Sequence, residues 1–283
     1  MVIVLLTSTQ VVGYQSSSAF PIASQKYLTI LIQHSTPTSP LQLPPTPQMP
    51  TTVLITGSSS GLGLAFTHHY ASLPTTHLLI ALDTHPLPAP HTSNPKIHFH
   101  PIDITAYLRG LARHYANTPI DLIIHCAGVR GLVPSREQNV AAAETHDVMT
   151  RDVMLRTFET NAYGTFNVVQ SFLPNLRLAE KPKVIVMASR MGSVASNVVG
   201  GGYAYRASKA ALNAVVRSFS IDTPEVTYCL LHPGRVETGL VGWREEGAVG
   251  VEESVRDCLK VIEGWGRGDS GRLVDRFGVE IPW

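Results

Sequence analysis

From Thr51 onward, short apolar runs alternate with longer stretches of helical period. The runs fall at 53–56, 78–83, 97–103, 122–126, 184–188, 226–231 and 272–274. They are apolar at successive positions rather than at every second one, which predicts strands buried on both faces, as in a parallel sheet covered by helices. Helical spacing predicts helices over 62–72, 104–116, 149–173, 203–221 and 252–264. Pro74, Pro174 and Pro224 stand just beyond three of these, where a helix-stopping residue belongs. The alternation is that of βαβ units and predicts an α/β fold: a doubly wound parallel sheet of about seven strands with helices on both faces. No internal repeat is found.

Residues 1–50 break the pattern. Ser, Thr, Gln and Pro dominate, no acidic residue occurs and 37–50 is Pro-rich. Such a segment cannot build a packed core, so it predicts a disordered N-terminal extension, or a natural start at Met49, ahead of a single domain over 51–283. The apolar start at 2–6 lacks the positive flank of a signal peptide, and Lys26 without any arginine argues against a mitochondrial presequence.

Charge and composition narrow the partners. The 283 residues carry 22 Lys+Arg against 21 Asp+Glu, a formal net charge of +1 with no basic run. That lacks the footprint of a nucleic-acid or anionic-membrane binder. No apolar stretch approaches the roughly 20 residues a membrane-spanning helix needs. A small-molecule partner is expected instead. Cys126, Cys229 and Cys258 are scattered, with no CxxC pair, and read as buried thiols in a reducing compartment, the cytoplasm. The His68-His69 and His98/His100 pairs have no companion ligands at metal spacing, so no metal site is expected.

Two motifs carry chemistry. Thr56-Gly57-Ser58-Ser59-Ser60-Gly61-Leu62-Gly63 leaves a predicted strand and opens a helix, the context of a Rossmann-type turn whose backbone approaches a pyrophosphate. Asp83, twenty residues after Gly63, ends the second run, where a carboxylate accepts from ribose hydroxyls and repels a 2′-phosphate. With no Arg or Lys in the loop or beside Asp83, NAD is favoured over NADP. The second motif is Tyr205-Arg206-Ala207-Ser208-Lys209, whose spacing of four puts phenol and ammonium on one helix face. A free phenol titrates at about 10, and a nearby cation lowers it toward the range general acid–base catalysis uses. Ser189 ends the fifth run on the side where open α/β sheets bind ligands.

Together these pieces resemble the short-chain dehydrogenase/reductase family over essentially all of 51–283. The match rests on TGSSSGLG at 56–63, the Cys126-Ala127-Gly128 turn, ETNAYGTF around Asn161, Ser189, YRASK at 205–209 and Pro-Gly-Arg-Val-Glu-Thr at 233–238. MASRMGS before YAYRASKAALN and the ending GRLVDRFGVEIPW are similar to the sniffer and C-factor branch of carbonyl reductases. The resemblance implies that Tyr205 protonates a carbonyl oxygen that Ser189 also bonds, and that Lys209 holds the nicotinamide ribose. Asn161 would fix a water that continues a proton relay from Lys209. Asp103 and Ile104 would flank the adenine, Ala127 and Gly128 would give the cofactor a backbone wall, and Pro233, Gly234, Val236 and Thr238 would line the nicotinamide. Thr56, Gly57, Ser59, Ser60, Gly61, Leu62 and Gly63 complete the expected cofactor set.

Other readings of the same residues stay open. Ser189 also suits a helix cap, Asn161 an ordinary polar helix position, and Tyr203 the role given to Tyr205, although only Tyr205 has a lysine four residues on. The family's Asn-Asn-Ala-Gly reads His125-Cys126-Ala127-Gly128 here, so either sheet support comes from elsewhere or His125 takes over the hydrogen bonding. The stretch between Thr238 and Val251 is short for a substrate loop, which implies an open site. Apolar faces of 149–173 and 203–221 serve either a homo-oligomer or burial within the monomer. The expected activity is NAD(P)-dependent hydride transfer on a carbonyl or secondary alcohol; the alternative is a catalytically quiet NAD(P)-binding signalling or scaffold protein.

Overall fold

The computed structural model describes residues 51–89, 91–136, 139–241 and 246–283. The expectations for 1–50, and the middle of the 238–251 stretch, lie outside these residues. The seven apolar runs form β1 (Thr51–Thr56), β2 (Thr76–Asp83), β3 (Ile97–Pro101), β4 (Leu122–His125), β5 (Lys183–Met187), β6 (Thr227–His232) and β7 (Arg272–Asp275). All pair in parallel, in the order β3-β2-β1-β4-β5-β6-β7. The chain winds outward from β1 in both directions, so the switch point, where the loops leaving β1 and β4 diverge, opens a crevice at the C-terminal edge.

Helices α1 (Gly61–Ser72), α2 (Arg109–His114), α3 (Val140–Ala143), α4 (Arg151–Phe158), α5 (Gly164–Leu176), α6 (Tyr203–Asp222) and α7 (Val251–Gly264) join them. Consecutive strand residues point to opposite faces. Leu54, Leu82 and Val184 therefore pack with Phe172 of α5 and Leu212 of α6, while Val53, Ile55 and Ile185 pack with Phe66 of α1 and Ile262 of α7. Both faces of the central strands are dry, whereas the edge strand β3 has no fully buried residue and exposes His98 and Pro101, so the expected burial on both faces does not extend to it. Each such side chain fully removed from water stabilises the fold by about 1.5–3 kcal/mol.

Three helical expectations change. The helix expected over 104–116 shrinks to α2, because the Asn167 amide donates to the carbonyls of Ile104 and Ala106, which an α-helix would offer to its own backbone. The long helix expected over 149–173 begins later, with Thr150 capping the Val153 amide, and is interrupted by a π-helical turn at Glu159–Tyr163 between α4 and α5. Pro174 lies inside α5 rather than beyond it. Tertiary bonds hold that last turn, since Asn175 donates through its side chain to the Tyr115 and Thr118 carbonyls and accepts the Ile120 amide.

His125 takes the place of an amide at the switch point. Its ring is 1% exposed, with Nδ1 2.9 Å from Thr56 Oγ1 on β1 and Nε2 3.0 Å from Thr165 Oγ1 on α5. The Thr165 hydroxyl donates to the Asn161 carbonyl, so it must accept from Nε2–H; Nδ1 then accepts from Thr56. Thr56 Oγ1 in turn accepts the Ala127 amide at 3.2 Å. Every donor in this chain is satisfied by a neutral imidazole. Burial, reinforced by the Lys209 ammonium, pushes the ring down to about 3.

With its folded value below the unfolded one of about 6.5, His125 is protonated first in the unfolded chain. Stability should therefore fall as pH drops from about 6.5 toward 3, by up to ~1.4 kcal/mol per unit from this residue. Urea denaturation at pH 7, 6 and 5 should show a shallower decline in His125→Asn than in the wild type. Equal declines would mean the imidazole is not held neutral.

Candidate active site

The glycine turn and helix α1 form one end of the crevice. Gly63 is where close approach demands glycine: a Cβ there would stand 1.9 Å from the Gly57 carbonyl oxygen. The first amides of a helix have no partners within it. In α1 they stay available, because the N-cap Ser60 side chain makes no capping bond and no acid sits in the first turn. That end of the helix also carries the positive pole of its dipole, which suits a phosphate. Asp83, at the end of β2, accepts the Ser59 amide on one oxygen and the His85 amide on the other, both at 2.9 Å. Burial would raise its carboxyl, but these amide bonds outweigh it and hold the group below its ordinary value, hence ionised.

A cleft of about 460 Å³ runs from Asp83 along Gly57, Ser59, Ser60, Gly61, Leu62 and Gly63. It continues past Asp103, Ile104, Ala127 and Gly128 to Tyr205 and Lys209, with Pro233 and Thr238 on its far side. Five expected site residues stand elsewhere. Thr56 is fully buried beneath the turn, its hydroxyl spent on His125 and Ala127, so it supports the cleft rather than lining it. Ser189, Gly234 and Val236 line an adjoining cavity of about 290 Å³ that shares Tyr205 and Leu240 with the cleft. Asn161, fully buried, lies behind the wall.

Tyr205 and Lys209 occupy successive turns of α6, both buried. The ammonium stands 5.7 Å from the centre of the phenol ring and donates to the Met187 carbonyl at 2.9 Å. Burial lowers it to about 8, so it keeps its proton at neutral pH. Tyr203, by contrast, is 44% exposed and packs edge-on against His146. Ser189 caps the short turn Arg190–Gly192 by accepting the Met191 amide at 3.2 Å, which leaves its own hydroxyl proton to point elsewhere. The Asn161 amide brackets Val129, accepting from its N–H and donating to its C=O at 2.8 Å each, and also donates to Ser208. A Cβ on Gly128 would lie 3.0 Å from Asn161 Oδ1 and 3.7 Å from Lys209 Nζ, so a glycine there keeps the ammonium open to the cleft.

Several lining residues were not foreseen. Thr160, Met187 and Leu240 line the cleft, and Arg130, Arg206, His232 and Arg235 line the adjoining cavity. Thr160, Met187, Arg206 and Arg235 sit inside the quoted motifs, beside the residues singled out there, whereas Arg130, His232 and Leu240 lie outside them and carry no signal of their own. Among the described residues no three His, Cys, Asp or Glu side chains converge on a metal-sized site, and His98 and His100 both bond the Tyr115 hydroxyl. No described helix is long and apolar enough to cross a membrane.

Residues 51–247 match the short chain dehydrogenase family model. The chain is 42% identical over 178 residues to C-signal of Myxococcus xanthus, covering 62% of this chain and 100% of that one. It is 30% identical over 263 residues to the short chain dehydrogenase gsfK of Penicillium aethiopicum, covering 83% of this chain and 100% of the other. The crystal structure of NADPH-bound carbonyl reductase from chicken fatty liver is similar at a TM-score of 0.72 and 27% identity, covering 83% and 100% of the two chains. A phosphate-ready helix end, an acid at the end of β2 and a glycine-floored cleft fit a nicotinamide dinucleotide, and the chain belongs to the short-chain dehydrogenase family of NAD(P)-dependent oxidoreductases.

Proposed function

We propose that this chain transfers hydride between NAD(P) and a small carbonyl or secondary-alcohol substrate, with Tyr205 as the acid–base. The observation that carries the reading is the place of the Tyr205 phenol, which lines both the dinucleotide cleft and the cavity holding Ser189. In reduction the carbonyl carbon receives the hydride that the bound, reduced nicotinamide supplies. The carbonyl oxygen takes its proton from Tyr205, so C=O becomes CH–OH, and oxidation is the reverse. Ser189 has a proton to donate to the same oxygen, steadying the charge that develops there. Lys209 keeps a cation one turn away and thereby favours loss of the phenol's proton. Asn161 is a positioning residue: its amide holds the Val129 backbone, and Gly128 leaves the gap through which a relay from Lys209 would run.

The likeness to C-signal along 100% of that relative supports a second reading, in which the dinucleotide is bound for signalling and turnover is incidental. Cofactor binding without turnover across a broad panel of aldehydes and ketones would favour it. On the catalytic reading, Tyr205→Phe lowers kcat/KM for carbonyl reduction by about 10²–10⁴-fold, the usual worth of a positioned acid–base. Unchanged turnover in that variant removes Tyr205 from the mechanism.

The Lys209 value adds a pH dependence. Below about 8 the ammonium is charged, and above it the cation is lost, so reduction should decline as pH rises through about 8. Lys209→Met should be slower throughout and lack that limb in a steady-state pH profile. The ionised Asp83 carboxylate supports NADH over NADPH through repulsion of a 2′-phosphate. We expect the NADPH KM to exceed that of NADH by about tenfold or more, a gap that charge repulsion of ~1.4 kcal/mol produces, and Asp83→Ser to narrow it. Equal KM values for both cofactors in the wild type would refute the preference.

A further inference from the structure

The cavity beyond Tyr205 has a lining of one sign. Arg130, Arg190, Arg206 and Arg235 all face it, and among the described residues that line it there is no carboxylate. Two of the four charges are matched from behind. Arg130 bonds Glu144 through two N–H groups at 2.9 and 2.8 Å, and Arg190 lies 3.5 Å from Asp275. Arg206 and Arg235 bond backbone carbonyls instead. Arg206 donates to Gly201 at 3.0 Å, Gly200 at 3.3 Å and Met191 at 3.5 Å, and Arg235 donates to Glu246 at 2.8 Å. A carbonyl satisfies an N–H without cancelling its charge. Each guanidinium has five N–H donors, so both keep donors to offer a ligand. His232 also lines the cavity, and its buried Nδ1 has no hydrogen-bond partner among the described residues. Burial, then the Arg190 charge, holds that ring down at about 4, so it adds a polar edge without a charge.

Resting on the reductase reading, we infer that the substrate is an anionic carbonyl compound, its carboxylate or phosphate held by Arg206 and Arg235 while its C=O meets Tyr205 and Ser189. The bond changes are those of the reduction alone: the carbonyl carbon gains hydride from reduced nicotinamide, its oxygen gains the Tyr205 proton, and the anionic group is untouched. A cavity lined by charge of one sign concentrates and orients an ion of the other, here with Arg190 and Arg235 on its exposed side. Guanidinium forks bond carboxylate and phosphate oxygens in charge-assisted pairs, which are worth roughly 10–100-fold in binding. The cavity is not the cofactor's own phosphate site. Its arginines flank the phenol, whereas the phosphate-ready helix end and Asp83 line the other end of the cleft.

The test is steady-state kcat/KM on the full chain with matched pairs: an oxo carboxylic acid against its methyl ester, and a phosphorylated ketone against its dephosphorylated form. The charged member of at least one pair should be preferred by about 10–100-fold, and which pair shows it distinguishes carboxylate from phosphate. Arg206→Met and Arg235→Met should each bring that ratio toward unity through a higher KM for the charged member, with part of it restored by Arg235→Lys. Arg206 also braces the glycine-rich turn before α6, so Arg235→Met carries the test if Arg206→Met does not fold. Uncharged members turned over equally well or better in the wild type overturn this inference and leave the reductase reading standing. Cofactor binding with turnover of neither member of any pair overturns the reductase reading and this inference with it.

Discussion

Holding a lysine ammonium at 4% exposure is costly, because a buried cation gives up its hydration and is stabilised only by what surrounds it. Here the acceptor among the described residues is the Met187 carbonyl at the end of β5, a dipole rather than a counter-charge. The cost appears as a value drawn down to about 8, low for lysine yet high enough to keep the proton at neutral pH. Pairing with a carboxylate would be cheaper but would also cancel the field at Tyr205. The surroundings of Lys209 leave that field in place: Gly128 leaves the ammonium uncovered toward the cleft, Asn161 fixes the wall beside it, and α6 sets the phenol one turn away.

The same charge constrains the interior behind it. An unbroken hydrogen-bond chain runs from the Ala127 amide through Thr56, His125 and Thr165 to the Asn161 carbonyl. Each link fixes the direction of the next, and chains of this kind strengthen cooperatively in a low-dielectric interior. It works with a neutral imidazole, and both burial and Lys209 drive the ring that way. The chain ends at the π-helical turn, where the Thr165 hydroxyl occupies the Asn161 carbonyl, so the break in the helix and the link across β1 and β4 belong to one network. A π turn inside an α-helix adds one residue to a turn, and such turns recur at functional sites.

The strands were legible because burial on both faces leaves uninterrupted apolar runs, and the structure departs from them only by a residue or two at the ends. That the glycine turn, Asp83 and the Tyr205/Lys209 pair line one cleft was legible because each motif is a particular residue type at a fixed spacing along one segment. Helix interruptions were not. Nothing local marks that Asn167 will take the carbonyls of Ile104 and Ala106, or that Asn175 will hold a turn containing Pro174. Tertiary hydrogen bonds override local preference in both places. The cationic cavity was hidden for a related reason: its arginines are ordinary singly, and only the fold gathers residues 130, 190, 206 and 235 around one space.

That gathering also explains why bulk charge is a poor guide to this site. A net charge of +1 describes the chain as a whole, while the crevice is polarised along its length. At one end stands an ionised carboxylate tied to the glycine turn; at the other, beyond the phenol, stand guanidinium groups whose counter-charges lie behind the wall or are replaced by carbonyl dipoles. Over such a distance the exposed parts of this field are screened in salt, but the buried Lys209 between them is not. Strand topology brings the two spaces together, because β5 and β6 deliver Ser189 and the 233–238 segment to the same edge of the sheet as α6 delivers Tyr205.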